Sequence, residues 1–407
     1  MRLPRLQPPV ALPRALSLAS AGLVFTFVIA PGVLSCSAAP VPTAPPSPAA
    51  SSAAAPPIAP SSVASSVASS TPAAPAASSL PAAAAAPKLG ALDQIRADAK
   101  SLEPQVQTSM VKRFLAATAG LPSIAPRALY HDEKKTRFFT EREAAALSAE
   151  ERGALRKIAA DEELYYNTRY GSPLSYSRAL DILFARGLEL APGAKVLDFG
   201  YGYAGHLRLL ASLGVDATGV DVDPMLRALY SEPGDQGEIP RLPAAEGSAR
   251  KGRLRLLNGK FPADPAITRA VGAGYDLVIS KNVLKKGYIH PDRPAQEKHL
   301  IRLEVSDEVF LKSFFTALKP GGKMLVYNIC PAPSPPDKPF IPWSDGRSPF
   351  TRQQWEAAGF KVLVFDQDDA AAVRVMGRAL GWGQGEGAWD IEHDLSVLYT
   401  LVERPAR

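Results

Sequence analysis

The sequence predicts an α/β fold, and three observations predict it. The first is one continuous unit. Ala194 to Leu197 is an apolar run ending on Asp198, a glycine-spaced turn follows (Gly200, Gly202, Gly205), and Leu207, Leu209, Leu210 and Leu213 recur at helical spacing before a second apolar run closes on Asp221. Strand, glycine turn, helix, strand and acid make half of a nucleotide-binding sheet. The glycines let backbone N–H groups and the helix start approach a ligand, and the second acid stands where it can bond a ribose diol. The second observation is that strand and helix patterns keep alternating downstream. The third is a closing pair of strands, Val362 to Phe365 and Leu395 to Val402.

Composition bounds what precedes this unit. The chain has 407 residues, 39 of them proline, and a net charge of +6. Arg2, Arg5, Arg14 and Lys88 meet no acid before residue 90, so the rest of the chain carries only +2. No basic stripe points to nucleic acid. Two cysteines, Cys36 and Cys330, cannot build a disulfide framework or a cysteine-based zinc cluster.

Residues 1–36 read as an export signal. Three arginines precede an uncharged, mostly apolar run, Ala15 to Leu34, that ends Val33-Leu34-Ser35-Cys36. Small residues before a lone cysteine resemble a bacterial lipobox, although Leu34 fits that pattern poorly. The expectation is a membrane anchor in the cell envelope, with a cytoplasmic chain begun at a later start codon as the alternative. Residues 37–88 are Ala, Ser and Pro at low complexity, with no aromatic side chain, and read as a disordered tether.

Residues 89–175 read as a helical lead-in. Leu92, Ile95, Ala99 and Leu102 share a face interrupted by Pro104, and two capping boxes, Thr140 with Glu143 and Ser148 with Glu151, mark helix starts. Tyr165, Tyr166 and Tyr170 read mainly as packing residues, and Arg169 as lining the mouth of a ligand site. Residues 176–407 read as a single α/β domain that carries the glycine turn. A helix on Ala179, Leu180, Ile182, Leu183 and Phe184 leads into the first strand. After Asp221, Asp223 caps a short helix with Pro224 at its first position. Ser231 to Gly252 is a polar loop without periodicity. Strands follow at Leu254 to Leu257, ending in Asn258-Gly259, and at Tyr275 to Ser280, ending in Lys281-Asn282. A helix over Asp307 to Leu318 ends in Lys319-Pro320-Gly321-Gly322, and Lys323 to Asn328 is a fifth strand. A Pro-rich loop, Pro331 to Pro349, carries Phe340 and Trp343 and is expected to overhang the site and help select the substrate.

VLDFGYGYAG (196–205), GVDVDP (219–224), YDLVIS (275–280) and LKPGGKMLV (318–326) together resemble the class I S-adenosylmethionine-dependent methyltransferases over residues 160 to 405. The resemblance implies a Rossmann-like seven-stranded sheet with a C-terminal antiparallel hairpin. It also implies S-adenosyl-L-methionine as cofactor. Asp198, Gly200, Gly202 and Gly205 would hold its methionine end, Asp221 the ribose hydroxyls, Val222 the adenine face, and Asn258 with Gly259 the adenine edge. Ser280 and Lys281 would line the floor beside the sulfonium. The chain departs from the family pattern at Ala204, where glycine is usual, and at Lys285-Lys286, where many relatives carry paired histidines. It lacks an Asn-Pro-Pro-aromatic motif, which argues against nucleic-acid amino methylation.

Gly200 to Gly205 also satisfies the dinucleotide fingerprint G-x-G-x-x-G, so an NAD(P)-dependent oxidoreductase is a rival reading. Asp198 two residues before the first glycine, the Lys-Pro-Gly-Gly turn and the C-terminal strand pair favour methyl transfer. A third reading is a non-catalytic envelope scaffold on the same fold, prompted by a cytosolic cofactor on a chain that looks exported. Methyl transfer needs a base only if the nucleophile arrives protonated. The candidates are His290 and Tyr288, in Gly287-Tyr288-Ile289-His290-Pro291, and then His299. His206 reads as a capping or packing residue. Glu392, His393 and Asp394 read as a solvated loop and no metal is expected, because adjacent residues rarely share one. The expected acceptor is a small molecule; the sequence does not set the oligomeric state.

Overall fold

A computed structural model describes residues 89–167, 171–241, 250–384 and 388–406. The export signal, Cys36, the tether and Arg169 with Tyr170 lie outside the described residues. Among the described residues no helix is long and apolar enough to cross a membrane.

The lead-in is not purely helical. Helices Ala91–Leu102 and Ser109–Ala116 open it, but three short strands follow, β1 (Arg127–His131), β2 (Phe138–Thr140) and β3 (Arg156–Ala160), paired antiparallel in the order β2-β1-β3. Strands of three to five residues hold too few alternations to register as a period of two. The two capping boxes form as expected and start the five-residue helices Glu141–Ala145 and Ala149–Gly153. The helix Ser177–Ala185 then delivers the chain to the main sheet.

That sheet contains β4 (Lys195–Phe199), β5 (Asp216–Asp221), β6 (Gly237–Ile239), β7 (Gly252–Asn258), β8 (Tyr275–Lys281), β9 (Leu318–Cys330), β10 (Lys361–Asp368) and β11 (Ser396–Glu403). Its order is β10-β11-β9-β8-β4-β5-β7-β6. It therefore has eight strands, not the expected seven. The extra one, β6, is a three-residue edge strand antiparallel to β7, inside the loop that reads as aperiodic. Strands β4, β5, β7, β8 and β9 pair in parallel, whereas β11 lies between β9 and β10 and is antiparallel to both. The closing pair is joined through a helix, Ala370–Ala379, and not by a tight turn.

Both faces of the sheet are covered. Leu207, Leu210, Leu226 and Leu254 belong to one apolar cluster, and Val278, Phe261, Phe310, Phe314 and Trp355 to the other. Burial on both sides explains why β4 and β8 read as continuous apolar runs instead of alternating ones. Two polar residues inside those strands, Asp198 and Ser280, are fully buried.

Candidate functional site

Strand order places the site. From β4 the chain passes to β5 on one side, whereas the other neighbour of β4 is β8, so the order reverses at the carboxyl end of β4. Open α/β sheets bind ligands in the crevice at such a switch point. Asp198 occupies this end, in register with Gly219 of β5 and Ile279 of β8.

The glycine turn leaves β4 in a conformation that L-residues rarely adopt: φ is 74° at Gly200 and 57° at Gly202. At Gly200 a Cβ would also stand 2.4 Å from Val283 Cγ2. The turn is tied down by Tyr230, whose hydroxyl accepts from the Ala204 N–H at 2.9 Å and donates to the Tyr165 carbonyl at 2.8 Å. Gly205 then begins the helix Gly205–Ser212.

Asp221 ends β5 across from the turn. Its Oδ2 accepts from the Gly202 N–H and its Oδ1 from the Asp223 N–H, each at 3.0 Å. Burial pushes its carboxyl above the usual range and raises that of Asp223 to about 6. The next side chain, Val222, is 51% exposed, an apolar surface open beside the acid. Asn258 and Gly259 act on the same loop from below. Asn258 Nδ2 donates to the carbonyls of Asp221 (3.2 Å) and Asp223 (2.8 Å), and the Gly259 N–H to that of Asp221 (2.9 Å). These two residues thus shape the loop after β5.

Asp198 is the centre of a second, fully buried group. Its Oδ2 accepts from the Tyr176 hydroxyl at 2.9 Å and lies 2.6 Å from His206 Nε2. The Tyr176 and His206 rings are stacked, 3.6 Å between centroids and 6° from parallel. Its other oxygen, Oδ1, is buried with no hydrogen-bond partner. Lys281 ends β8 on the same side, its Nζ 4.9 Å from the centre of the Tyr176 ring. Burial lowers the Lys281 ammonium to about 8, against the opposing pull of Asp198. Alternation along β8 turns Ser280 to the opposite face, away from Ile279 and Lys281. Ser280 and Lys281 therefore lie on opposite faces of β8. The Ser280 hydroxyl, like that of Ser175, is buried without a partner.

Tyr176 and the Asp198 contact of His206 were not among the expected site features. Tyr176 approaches from 22 residues upstream, a separation that leaves no trace in local pattern. The only local sign for His206 is its position directly after the last glycine of the turn.

The candidate bases lie in the segment that follows β8. His290 Nε2 is 3.0 Å from Asp307 Oδ1, and its ring packs edgewise on Phe350. His299 packs edgewise on Trp343. The contacts of both histidines thus run to these residues instead of to the two carboxylates. Tyr288 is buried, with Lys285 Nζ 5.5 Å from its ring centre, and burial raises its phenol far above the usual range. Lys285 Nζ also donates to the carbonyl of Trp343 at 3.3 Å, which ties the Pro-rich loop to the chain after β8. Glu392 pairs with Arg378, His393 with Asp390, and Asp394 accepts from the Ala332 N–H. Among the described residues no group of three or more acids, histidines or cysteines is placed to hold a metal.

No family model matches the sequence, and no curated protein matches it. Solved structures do resemble it. They include phosphoethanolamine N-methyltransferase 2 of Haemonchus contortus in complex with phosphomonomethylethanolamine and S-adenosylhomocysteine, 12% identical, covering 73% of this chain and 75% of that one with a TM-score of 0.37. The cyclase SpnF is 16% identical over 73% of this chain and 93% of its own, with a TM-score of 0.34. A TehB-like S-adenosylmethionine-dependent methyltransferase of Corynebacterium glutamicum is 16% identical over 56% of this chain and 96% of its own, with a TM-score of 0.26. By its own strand order, with the antiparallel β11 set between β9 and β10, and by the acids that end β4 and β5, the chain has the Rossmann-like fold expected of a class I S-adenosylmethionine-dependent methyltransferase.

Proposed function

We propose that this chain transfers a methyl group from S-adenosylmethionine to a small-molecule acceptor. The observation that carries the reading is the pair of acids at adjoining strand ends with the glycine turn between them. Asp221 is pre-oriented by two backbone N–H groups, and Asp198 keeps one buried oxygen without a donor. An unpaired buried carboxylate oxygen costs free energy unless a ligand satisfies it. The set fits the cofactor: Asp198 Oδ1 suits an ammonium, the remaining lone pairs of Asp221 suit a ribose diol, and Val222 offers an exposed apolar face to a base.

When bound, S-adenosylmethionine supplies an activated methyl group on a sulfonium, and its displacement needs alignment more than acid–base help. The chain's part is to fix the nucleoside between the glycine turn and Asp221 and to keep water from the crest of β4 and β8. His290 is the proposed proton acceptor for a methyl acceptor that arrives protonated, whereas the buried phenol of Tyr288 stays protonated and is not suited to that role. Trp343, half-exposed on the Pro-rich loop, is proposed to contact that acceptor. The envelope anchor at Cys36 belongs to the same proposal, and unchanged membrane fractionation of Cys36→Ala would remove it.

Calorimetry with S-adenosylmethionine, S-adenosylhomocysteine and NAD tests the reading. The first two should bind and NAD should not, and Asp221→Ala should abolish binding. Full retention by Asp221→Ala, or tighter binding of NAD, contradicts it.

A further inference from the structure

The Pro-rich segment, Pro331 to Pro349, is short of hydrogen-bond donors of its own. Seven of its nineteen residues are proline, and each proline removes a backbone N–H while keeping a carbonyl that must still be met. The surrounding chain supplies the missing donors. Arg293, in the stretch after β8, supplies the most. Its Nη1 donates to the carbonyls of Ser334 (3.3 Å) and Pro335 (3.1 Å), and its Nη2 to those of Pro336 (3.3 Å) and Lys338. All four terminal N–H bonds of one guanidinium are thus spent on four carbonyls of a single loop. The same guanidinium lies over the Phe340 ring, 5.4 Å from its centre. Further on, Lys285 Nζ donates to the Trp343 carbonyl and Asn328 Nδ2 to that of Gly346 at 2.9 Å. Gly287 lets the loop approach here: a Cβ would stand 2.0 Å from the Pro342 carbonyl oxygen. Between these two sets of ties, Ile341 and Trp343 keep 38% and 37% of their surface exposed.

A loop tied through its backbone at this many points is fixed before any ligand arrives. We infer that Arg293 is a positioning residue that takes the place of the N–H groups the prolines lack. It holds residues 334–340 as a preformed wall from which Ile341 and Trp343 project, and the segment is not a lid that closes over a bound nucleoside. The guanidinium suits this task because its donors form a rigid planar fork. A lysine ammonium, with three donors at one point, cannot reach four carbonyls spread along a chain. That the wall receives the methyl acceptor rests on the reading of Trp343 above. That Arg293 holds the wall does not.

Hydrogen–deuterium exchange of the full chain at short labelling times tests the inference. It is read at Lys338 and Ile341, whose N–H groups donate to the Pro335 carbonyl and to Ser334 Oγ within the loop. The wild type should protect both without any nucleoside, and added S-adenosylhomocysteine should leave that protection as it was. Arg293→Ala should exchange them about 10- to 100-fold faster, with exchange in β8 unchanged. Guanidinium chloride at a non-denaturing concentration should restore protection to Arg293→Ala, and sodium chloride should not. Arg293→Lys should recover little. Unchanged exchange in Arg293→Ala, or full protection in Arg293→Lys, overturns the inference. So does a loss that spreads equally to β8, which marks general unfolding, and so does protection that appears only with S-adenosylhomocysteine, which marks a lid. A wild type that protects the loop through Arg293 yet binds no S-adenosylhomocysteine defeats the cofactor reading while supporting the wall.

Discussion

Two buried aspartates in this chain are solvated by the protein in opposite ways. Asp235, in the loop that leads into β6, is met on every side. Its Oδ2 accepts from Arg127 Nη1 at 2.7 Å and from the Glu232 N–H at 2.8 Å, and its Oδ1 from Arg127 Nη2 at 2.9 Å and the Tyr165 hydroxyl at 3.0 Å. Asp198, equally buried, has two partners on one oxygen and none on the other. A folded chain normally pairs its buried polar groups. Asp235 obeys that rule and joins the lead-in to the main sheet. Asp198 breaks it at the crest of the sheet. The contrast separates a carboxylate fully paired within the fold from one that keeps an oxygen open.

The comparison can be broken most easily at Asp235. Asp235→Ala strands the largely buried Arg127 guanidinium and should cost about 3 kcal/mol, read as a lower urea midpoint at unchanged slope. Asp198→Asn keeps an acceptor for Tyr176 and His206. It should change stability by less than about 1 kcal/mol while weakening S-adenosylhomocysteine about 10- to 100-fold. A third carboxylate, Glu143, separates satisfaction from burial. It is partnered by Arg227 and by the Thr140 N–H, yet half-exposed. Arg227 holds its carboxyl down at about 2. Its stabilisation is therefore complete above the ordinary glutamate range and lost as pH falls toward 2. Glu143→Gln should cost about 0.5 kcal/mol at neutral pH and nothing near pH 2. The smallest effect is expected at Ser280, whose buried hydroxyl has no partner to lose. Ser280→Ala should leave stability equal or slightly higher in the same urea titration.

The satisfied and unsatisfied regions also differ in how far the sequence discloses them. The glycine turn, both terminal acids and the β8 and β9 strands are legible, because each is continuous in sequence and buried on both faces. The capping boxes at Thr140 and Ser148 are legible because a cap is a three-residue device. The small sheet β1–β3 and edge strand β6 are not, since segments this short carry no measurable period. The Asp198 group is legible only in part. The acid stands out against the apolar run, but Tyr176 and Lys281 reach it from 22 residues before and from another strand. Nothing local distinguishes the Lys281 that points inward from Lys286, which pairs with Asp292 outside. Strand alternation decides it, and that needs the exact end of β8.

Thermal unfolding of the wild type and Asp198→Asn, each with and without saturating S-adenosylhomocysteine, tests the central claim most directly. The account predicts nearly equal midpoints without ligand, a rise of several degrees for the wild type with ligand, and a much smaller rise for the variant. A variant that unfolds far below the wild type while keeping the full ligand-induced rise would contradict it, because Asp198 would then be holding the fold and not the cofactor.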